Sequence, residues 1–153
     1  MSVEDKLKAL GIALPIAPQP AGAYVRAKRT GNLIFVSGQL PIVDGQLKHS
    51  GQVGKDLSVE EGYEAARICA LNVLSILADE AGSLDAISQM VRLEGFVCSA
   101  EGFTDQAKVI NGASDLISEA LGEAGSHARL AIGVAELPLG AAVEFSAIAE
   151  VRT

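Results

Sequence analysis

The chain has 153 residues, of which 49% are hydrophobic and 20% charged, so it is long enough to bury one core and too apolar to be intrinsically disordered. The net charge of −7 and the absence of a basic stripe argue against nucleic-acid binding, which needs lysine and arginine to neutralise phosphates. Two cysteines, Cys69 and Cys98, are too few for a disulfide scaffold and do not have metal-ligand spacing.

Targeting and membrane signals are missing from the sequence. The charged N-terminus has no apolar signal-peptide core, and no apolar run approaches the ~18 residues of a membrane span. We therefore expect a soluble cytoplasmic protein with no membrane partner. Because no linker divides the chain and no segment repeats, residues 1–153 are expected to form a single domain.

The first predicted element is a short helix over residues 2–11, capped by Ser2 and ended by Gly11. Three prolines then indicate an extended connector over residues 14–23. Residues 1–17 are interpreted as an N-terminal helical extension.

Strands follow the connector. Residues 24–28 alternate weakly, residues 30–32 favour a turn, and residues 33–36 form a continuous apolar strand. Residues 40–57 contain several glycines and are expected to be a loop with at most one short strand.

Two long helices and three further strands are predicted in the rest of the chain. Ser58 and Glu61 form a capping box, and the apolar spacing that follows predicts a helix to about Glu80. Thr104 is the expected cap of a second helix that ends at about Leu121. The strands are predicted over residues 90–98, 129–135 and 143–151.

This order of elements predicts an α+β fold, a two-layer sandwich in which one mixed sheet carries both long helices on one face. The strand at residues 129–135 is apolar on both sides, because leucine, isoleucine and valine alternate with alanine and glycine. The sheet face without helices is therefore a candidate subunit interface.

Two charged residues stand out in apolar strands. Arg129 begins the strand whose next six residues are all apolar, and it must reach solvent, pair with an acid or bind a ligand. A strand-end arginine that extends to water or pairs with an acid is the simpler alternative. Glu144 lies between Val143 and Phe145, and a solvated face of an edge strand would equally explain it.

The histidines carry less information. His49 lies in a glycine-rich loop and His127 two residues before Arg129. Neither has an evident partner, so both are interpreted as exposed or structural residues.

Three blocks of the sequence resemble the Rid family, also called YjgF or L-PSP. Residues 128–138 and 142–149 resemble its C-terminal signature, an Arg-led strand, a Leu-Pro pair and a strand beginning Val-Glu. Residues 31–41 resemble its Gly-Asn…Ser-Gly-Gln-x-Pro block. Tyr24 and Asn111 match its pocket tyrosine and its helix asparagine, and the resemblance spans about residues 18–152.

This resemblance implies a chorismate-mutase-like fold and a homotrimer with sites at the subunit interfaces. It also implies hydrolysis of reactive 2-imino acids or enamines to 2-oxo acids and ammonia. Arg129 would hold the substrate carboxylate and Glu144 would position water, in a pocket lined by Tyr24, Ser37 and Asn111. No metal or cofactor is implied, because a protonated imine is already electrophilic. The last strand would insert beside the middle strand.

The chain departs from the family pattern at two informative positions. Ala131 stands where the family often has cysteine, and Ser146 where it often has a second acid. Together with the N-terminal helical extension and about one extra residue between Asn111 and Arg129, these departures indicate a longer, atypical branch. A trimer that binds a small carboxylate without turnover is the alternative function. An endoribonuclease or translation inhibitor is less favoured, because the chain is acidic and lacks a histidine pair for 2′-OH chemistry.

Overall fold

The computed structural model describes residues 1–20 and 22–153; Ala21, inside the expected connector, lies outside the described residues. The helices are α1 (Val3–Ala9), α2 (Val59–Ala81) and α3 (Gln106–Leu121). The strands are β1 (Ala27–Thr30), β2 (Leu33–Gln39), β3 (Ile42–Val43), β4 (Gln46–Leu47), β5 (Ile87–Cys98), β6 (Ala128–Val134) and β7 (Val143–Val151).

Five of the strands form one mixed sheet in the order β1-β2-β7-β5-β6. β5 and β6 run parallel, and the other neighbours in this sheet pair antiparallel. β7 lies between β2 and β5, so the implied insertion of the last strand is confirmed and β6 does not pair with β7. β3 and β4 form a separate small hairpin within the segment expected to contain at most one strand.

Both long helices pack on one face of the sheet, which confirms the α+β sandwich. The capping box of α2 is complete, since the Ser58 hydroxyl accepts from the Glu61 amide and the Glu61 carboxylate accepts from the Ser58 amide. Gly82 ends α2 in the left-handed conformation, with φ of 87°. A Cβ at Gly112 of α3 would lie 2.0 Å from the Tyr63 carbonyl oxygen, so the helices approach too closely for a side chain there.

The core is filled by aliphatic side chains between the helices and the sheet. Along β7, Val143 and Phe145 are fully buried against the helices, whereas Glu144 and Ser146 are half-buried on the opposite face. Cys69 is buried as expected. The face without helices carries apolar side chains that the chain leaves uncovered, including Phe35 at 41% and Ile132 at 45% exposure.

The N-terminal extension is bound to the body of the molecule. Ser2 caps α1 as expected, and Leu7 of this helix is buried at 1% exposure. The Glu4 carboxylate accepts from the Leu84 amide at 2.9 Å and from the Ser83 hydroxyl at 3.2 Å. Farther along the extension, the Ser75 hydroxyl of α2 donates to the Pro15 carbonyl.

Two local expectations were wrong. The first strand begins at Ala27 and not at residue 24, because Arg26 turns toward α2 and its Nε lies 2.9 Å from the Glu80 carboxylate. Thr104 does not cap α3; Asp105 precedes the helix without a side-chain cap bond. The side-chain amide of Gln106 donates to the Phe103 carbonyl. Among the described residues, no helix is long and apolar enough to cross a membrane.

Candidate functional site

Arg129 lies near the start of β6, at the edge of the sheet. Its register partner is the fully buried Leu93, so its side chain projects from the helix-facing side. The guanidinium donates from Nη1 to the Ser114 hydroxyl at 3.0 Å and from Nη2 to the Ala107 carbonyl at 3.2 Å. The residues that the structure describes place no carboxylate within salt-bridge distance of it. Arg129 is therefore neither paired with an acid nor simply extended into water.

Asn111 lies on the face of α3 that binds this guanidinium. It is an exposed residue of α3, four positions after Ala107 and three before Ser114, so all three share one helix face. Two of the five N–H groups of Arg129 are bound to that face. The other three have no partner among the described residues and are open to a ligand.

Glu144 occupies a different part of the sheet. It pairs with Phe96 and projects from the face without helices, where it is half-buried. Burial raises the pKa of its carboxyl above the ordinary value. A Cβ at Gly38 would lie only 2.2 Å from Glu144 Oε2, so the carboxylate rests directly on the Gly38 backbone. Because β7 is flanked by β2 and β5, the explanation of Glu144 as an edge-strand residue is wrong.

Ser37 precedes Gly38 in β2, and Tyr24 lines a cavity that Gly38 also lines. The Ser37 hydroxyl donates to the Val25 carbonyl at 2.6 Å. The Tyr24 ring, 52% exposed, lines a cavity of about 430 Å³ together with Gly38 and Gln39. The other wall of this cavity is the connector, residues 15–20. Gly38 therefore contacts Glu144 and shares a cavity with Tyr24, whereas neither Ser37 nor Glu144 lines that cavity.

The structure therefore divides the expected site residues into two groups within one chain. Leu93 of β5 pairs with Arg129 of β6 on one side and with Ala147 of β7 on the other. Arg129 is therefore level with Ala147, which lies three residues along β7 from Glu144, and β6 is two strands away from β7. The backbones of Arg129 and Glu144 are then ~10 Å apart along the strand direction and ~10 Å apart across the sheet, which gives a separation of roughly 14 Å. The two side chains also lie on opposite faces of the sheet. One small molecule cannot contact both within a single chain.

Sequence reasoning missed two residues of the Arg129 group. His127 lies at hydrogen-bond distance from Ser114, with 2.9 Å between Nε2 and Oγ, and Ser114 binds Arg129. The period-2 spacing of His127 and Arg129 was a usable signal, since alternate residues of a strand share a face. Ser114 carried no signal, because its role depends on how α3 packs against β6.

Comparison with known proteins identifies the family. Residues 4–151 match the family model described as "YjgF/chorismate mutase-like, putative endoribonuclease". Protein TCP17 of Trypanosoma cruzi is 49% identical over 98% of this chain and 94% of its own length. A structure described as a putative endoribonuclease of Shewanella oneidensis superposes with a TM-score of 0.96 at 35% identity, covering 99% of this chain and all of that one.

A more distant relative carries a different activity in its name. The 2-iminobutanoate/2-iminopropanoate deaminase of Dermatophagoides farinae is 27% identical over 90% of this chain and 92% of its own length. The names of these relatives agree on the family and differ on the reaction. The match over nearly the full length, together with the fold, shows that this chain belongs to the YjgF family, which is also called Rid or RutC.

Proposed function

We propose that this protein hydrolyses 2-imino acids, or their enamine tautomers, to 2-oxo acids and ammonia. The observation that carries the proposal is the Arg129 guanidinium, which is half-buried, fixed to α3 and without an acidic partner among the described residues. Such a cation is best satisfied by an anionic ligand, and a guanidinium matches a carboxylate in two-point geometry. The deaminase named among the relatives acts on substrates of this class.

Glu144 supplies the second function that the reaction needs. A protonated imine carbon is electrophilic, and a water molecule attacks it while giving a proton to the Glu144 carboxylate. The carbinolamine nitrogen then accepts that proton from Glu144, and the C–N bond breaks as ammonia leaves. The hydroxyl proton passes back to the Glu144 carboxylate as the 2-oxo group forms, and the released ammonia takes it up as ammonium. Burial raises the pKa of Glu144, which makes its carboxylate a stronger base than an exposed one. No metal or cofactor takes part in this scheme.

The proposed site needs two chains, and we place it at the interfaces of a homotrimer. Arg129 and Asn111 of one copy would meet Tyr24, Ser37 and Glu144 of the next, because one chain holds the two groups on opposite faces of its sheet. The apolar face that carries Phe35 and Ile132 offers the surface for this contact.

A trimer that binds small carboxylates without turnover is the alternative, since it would use the same clamp. Endoribonuclease activity, which the description of the family model names, is a third candidate function. The net charge of −7 disfavours it, because an acidic protein repels the phosphates of RNA. The expected cytoplasmic location stays a prediction.

The experiment that separates these functions is a hydrolysis assay on 2-imino acids. An amino-acid oxidase generates the imines in situ from several amino acids, and ammonia release is followed with and without the protein. A rate above spontaneous hydrolysis, lost in Glu144→Gln, supports the deaminase. Binding of 2-oxobutanoate in calorimetry with no rate enhancement would favour the carboxylate-binding alternative.

A further inference from the structure

A chain of hydrogen bonds leads from a backbone carbonyl to the Arg129 guanidinium. His127 Nδ1 lies 2.6 Å from the Gly125 carbonyl oxygen, and its Nε2 lies 2.9 Å from the Ser114 hydroxyl. That hydroxyl lies 3.0 Å from Arg129 Nη1. His127, Ser114 and Arg129 are all half-buried, and Gly125 is buried.

The direction of each bond in this chain follows from its two ends. Arginine only donates, so the Ser114 oxygen accepts from Nη1 and keeps its own proton for another partner. A carbonyl only accepts, so His127 Nδ1 must carry a hydrogen toward Gly125. His127 Nε2 is then the free acceptor for the Ser114 proton. The neutral Nδ1–H tautomer of His127 therefore satisfies every group in the chain.

This directed chain fixes the guanidinium before a ligand arrives. A free arginine side chain samples many rotamers, and a ligand that binds it must select one of them at an entropic cost. Here Ser114 holds Nη1 and the Ala107 carbonyl holds Nη2, so the planar group is anchored at two points on α3. The remaining N–H groups have no partner among the described residues.

We propose that Ser114 and His127 are positioning residues for the carboxylate clamp. Ser114 sets the plane of the Arg129 guanidinium, and His127 sets the direction of the Ser114 hydroxyl. Neither touches the substrate. This inference rests on the proposed function only in assigning a carboxylate to Arg129; the bond chain itself is independent of that assignment.

The tautomer of His127 is tested directly by NMR. Long-range correlation between ring protons and ring nitrogens distinguishes a protonated Nδ1 from a protonated Nε2. In its neutral form the ring should carry its proton on Nδ1, opposite to the Nε2–H form that free histidine favours in water. An Nε2–H ring would overturn the directed chain, whatever the protein binds or hydrolyses.

The positioning role is tested by binding of 2-oxobutanoate, an expected product, in calorimetry. Ser114→Ala should raise the Kd about tenfold, as expected for one hydrogen bond to a charged group. Ser114→Thr, which keeps the hydroxyl, should restore binding. Ser118→Ala is the matched control, because Ser118 is an exposed serine one turn farther along α3 and has no bond to Arg129. In the imine assay, Ser114→Ala should raise KM and leave kcat within about twofold.

The outcomes separate this inference from the proposed function. If Arg129→Ala abolishes 2-oxobutanoate binding and Ser114→Ala leaves it within twofold, the positioning role is wrong and the clamp stands. If the wild-type protein and Arg129→Ala bind 2-oxobutanoate equally well, both the positioning role of Ser114 and the carboxylate clamp of Arg129 are wrong. A Ser114→Thr variant as weak as Ser114→Ala would also contradict the role assigned to the hydroxyl.

Discussion

Replacing Gly38 with alanine should disable Glu144 without unfolding the protein. The new Cβ would lie 2.2 Å from Glu144 Oε2 and 3.0 Å from its carboxyl carbon. Carbon and oxygen atoms normally keep a separation of about 3.4 Å or more, so the carboxylate must retreat by roughly 1.2 Å. Gly38 does not have a positive φ, so its backbone accepts alanine without strain.

Displacing the Glu144 carboxylate should change the free energy of unfolding little and the rate of hydrolysis greatly. A flexible glutamate absorbs the shift for about 0.5–1.5 kcal/mol, and the lost freedom of glycine in the unfolded chain returns about 0.4–1 kcal/mol. The Tm should therefore stay within a few degrees of the wild type. A misplacement of about 1 Å in a reacting group lowers the rate on the order of 100-fold, and kcat/KM for imine hydrolysis should fall by about that factor.

A double-mutant cycle supplies the control for Gly38→Ala. In a Glu144→Gln background, which already lacks the carboxylate, the same substitution should cost less than threefold, because both changes act on one group. Wild-type activity in Gly38→Ala, or a full 100-fold loss on top of Glu144→Gln, would refute the placement of Glu144 at the reacting water.

Three further predictions concern stability, assembly and RNA. Burial raises the pKa of Glu144 above its ordinary 4.5, so the folded state favours the protonated acid and loses that stability as the pH rises through the folded pKa. Glu144→Gln should accordingly have a higher Tm than the wild type at pH 7, with the difference vanishing below about pH 4 in thermal scans; a constant difference across this range would contradict the burial effect. Ile132→Asp, on the uncovered sheet face, should convert the proposed trimer to folded monomers in sedimentation equilibrium and abolish hydrolysis, whereas a monomeric wild-type protein would contradict the shared site. Repurified protein should neither bind nor cleave RNA at physiological salt, given its charge of −7, and RNA cleavage that is lost in Glu144→Gln would overturn this.

The parts of the fold that could be predicted from the sequence have local causes. The capping box at Ser58 and the glycine at position 82 place the ends of α2 within one residue of the structure, since both signals act within a single turn. The last strand, residues 143–151, was predicted with its observed bounds because its alternation continues without interruption. The insertion of this strand between β2 and β5 came from the family resemblance, because periodicity does not reveal partners.

The parts that could not be predicted depend on contacts between distant residues. The start of β1 is set by Arg26, whose partners lie more than fifty residues later in α2. The sequence singled out Arg129 and Glu144, and their separation onto opposite sheet faces follows only from register and strand order. The bond between His127 and Ser114 likewise requires the docking of α3 on β6.

The central claim, that Arg129 binds the substrate carboxylate, is tested most directly by imine hydrolysis in Arg129→Ala and Arg129→Lys. A desolvated charged contact of this kind contributes about 2–5 kcal/mol, so kcat/KM should fall by roughly 30-fold to several thousandfold in Arg129→Ala. Arg129→Lys should also be poor, because an ammonium lacks the planar two-point geometry. Arg152→Ala, which removes another arginine bound to a backbone carbonyl, should match the wild type. Activity of Arg129→Ala within twofold of the wild type would contradict the account.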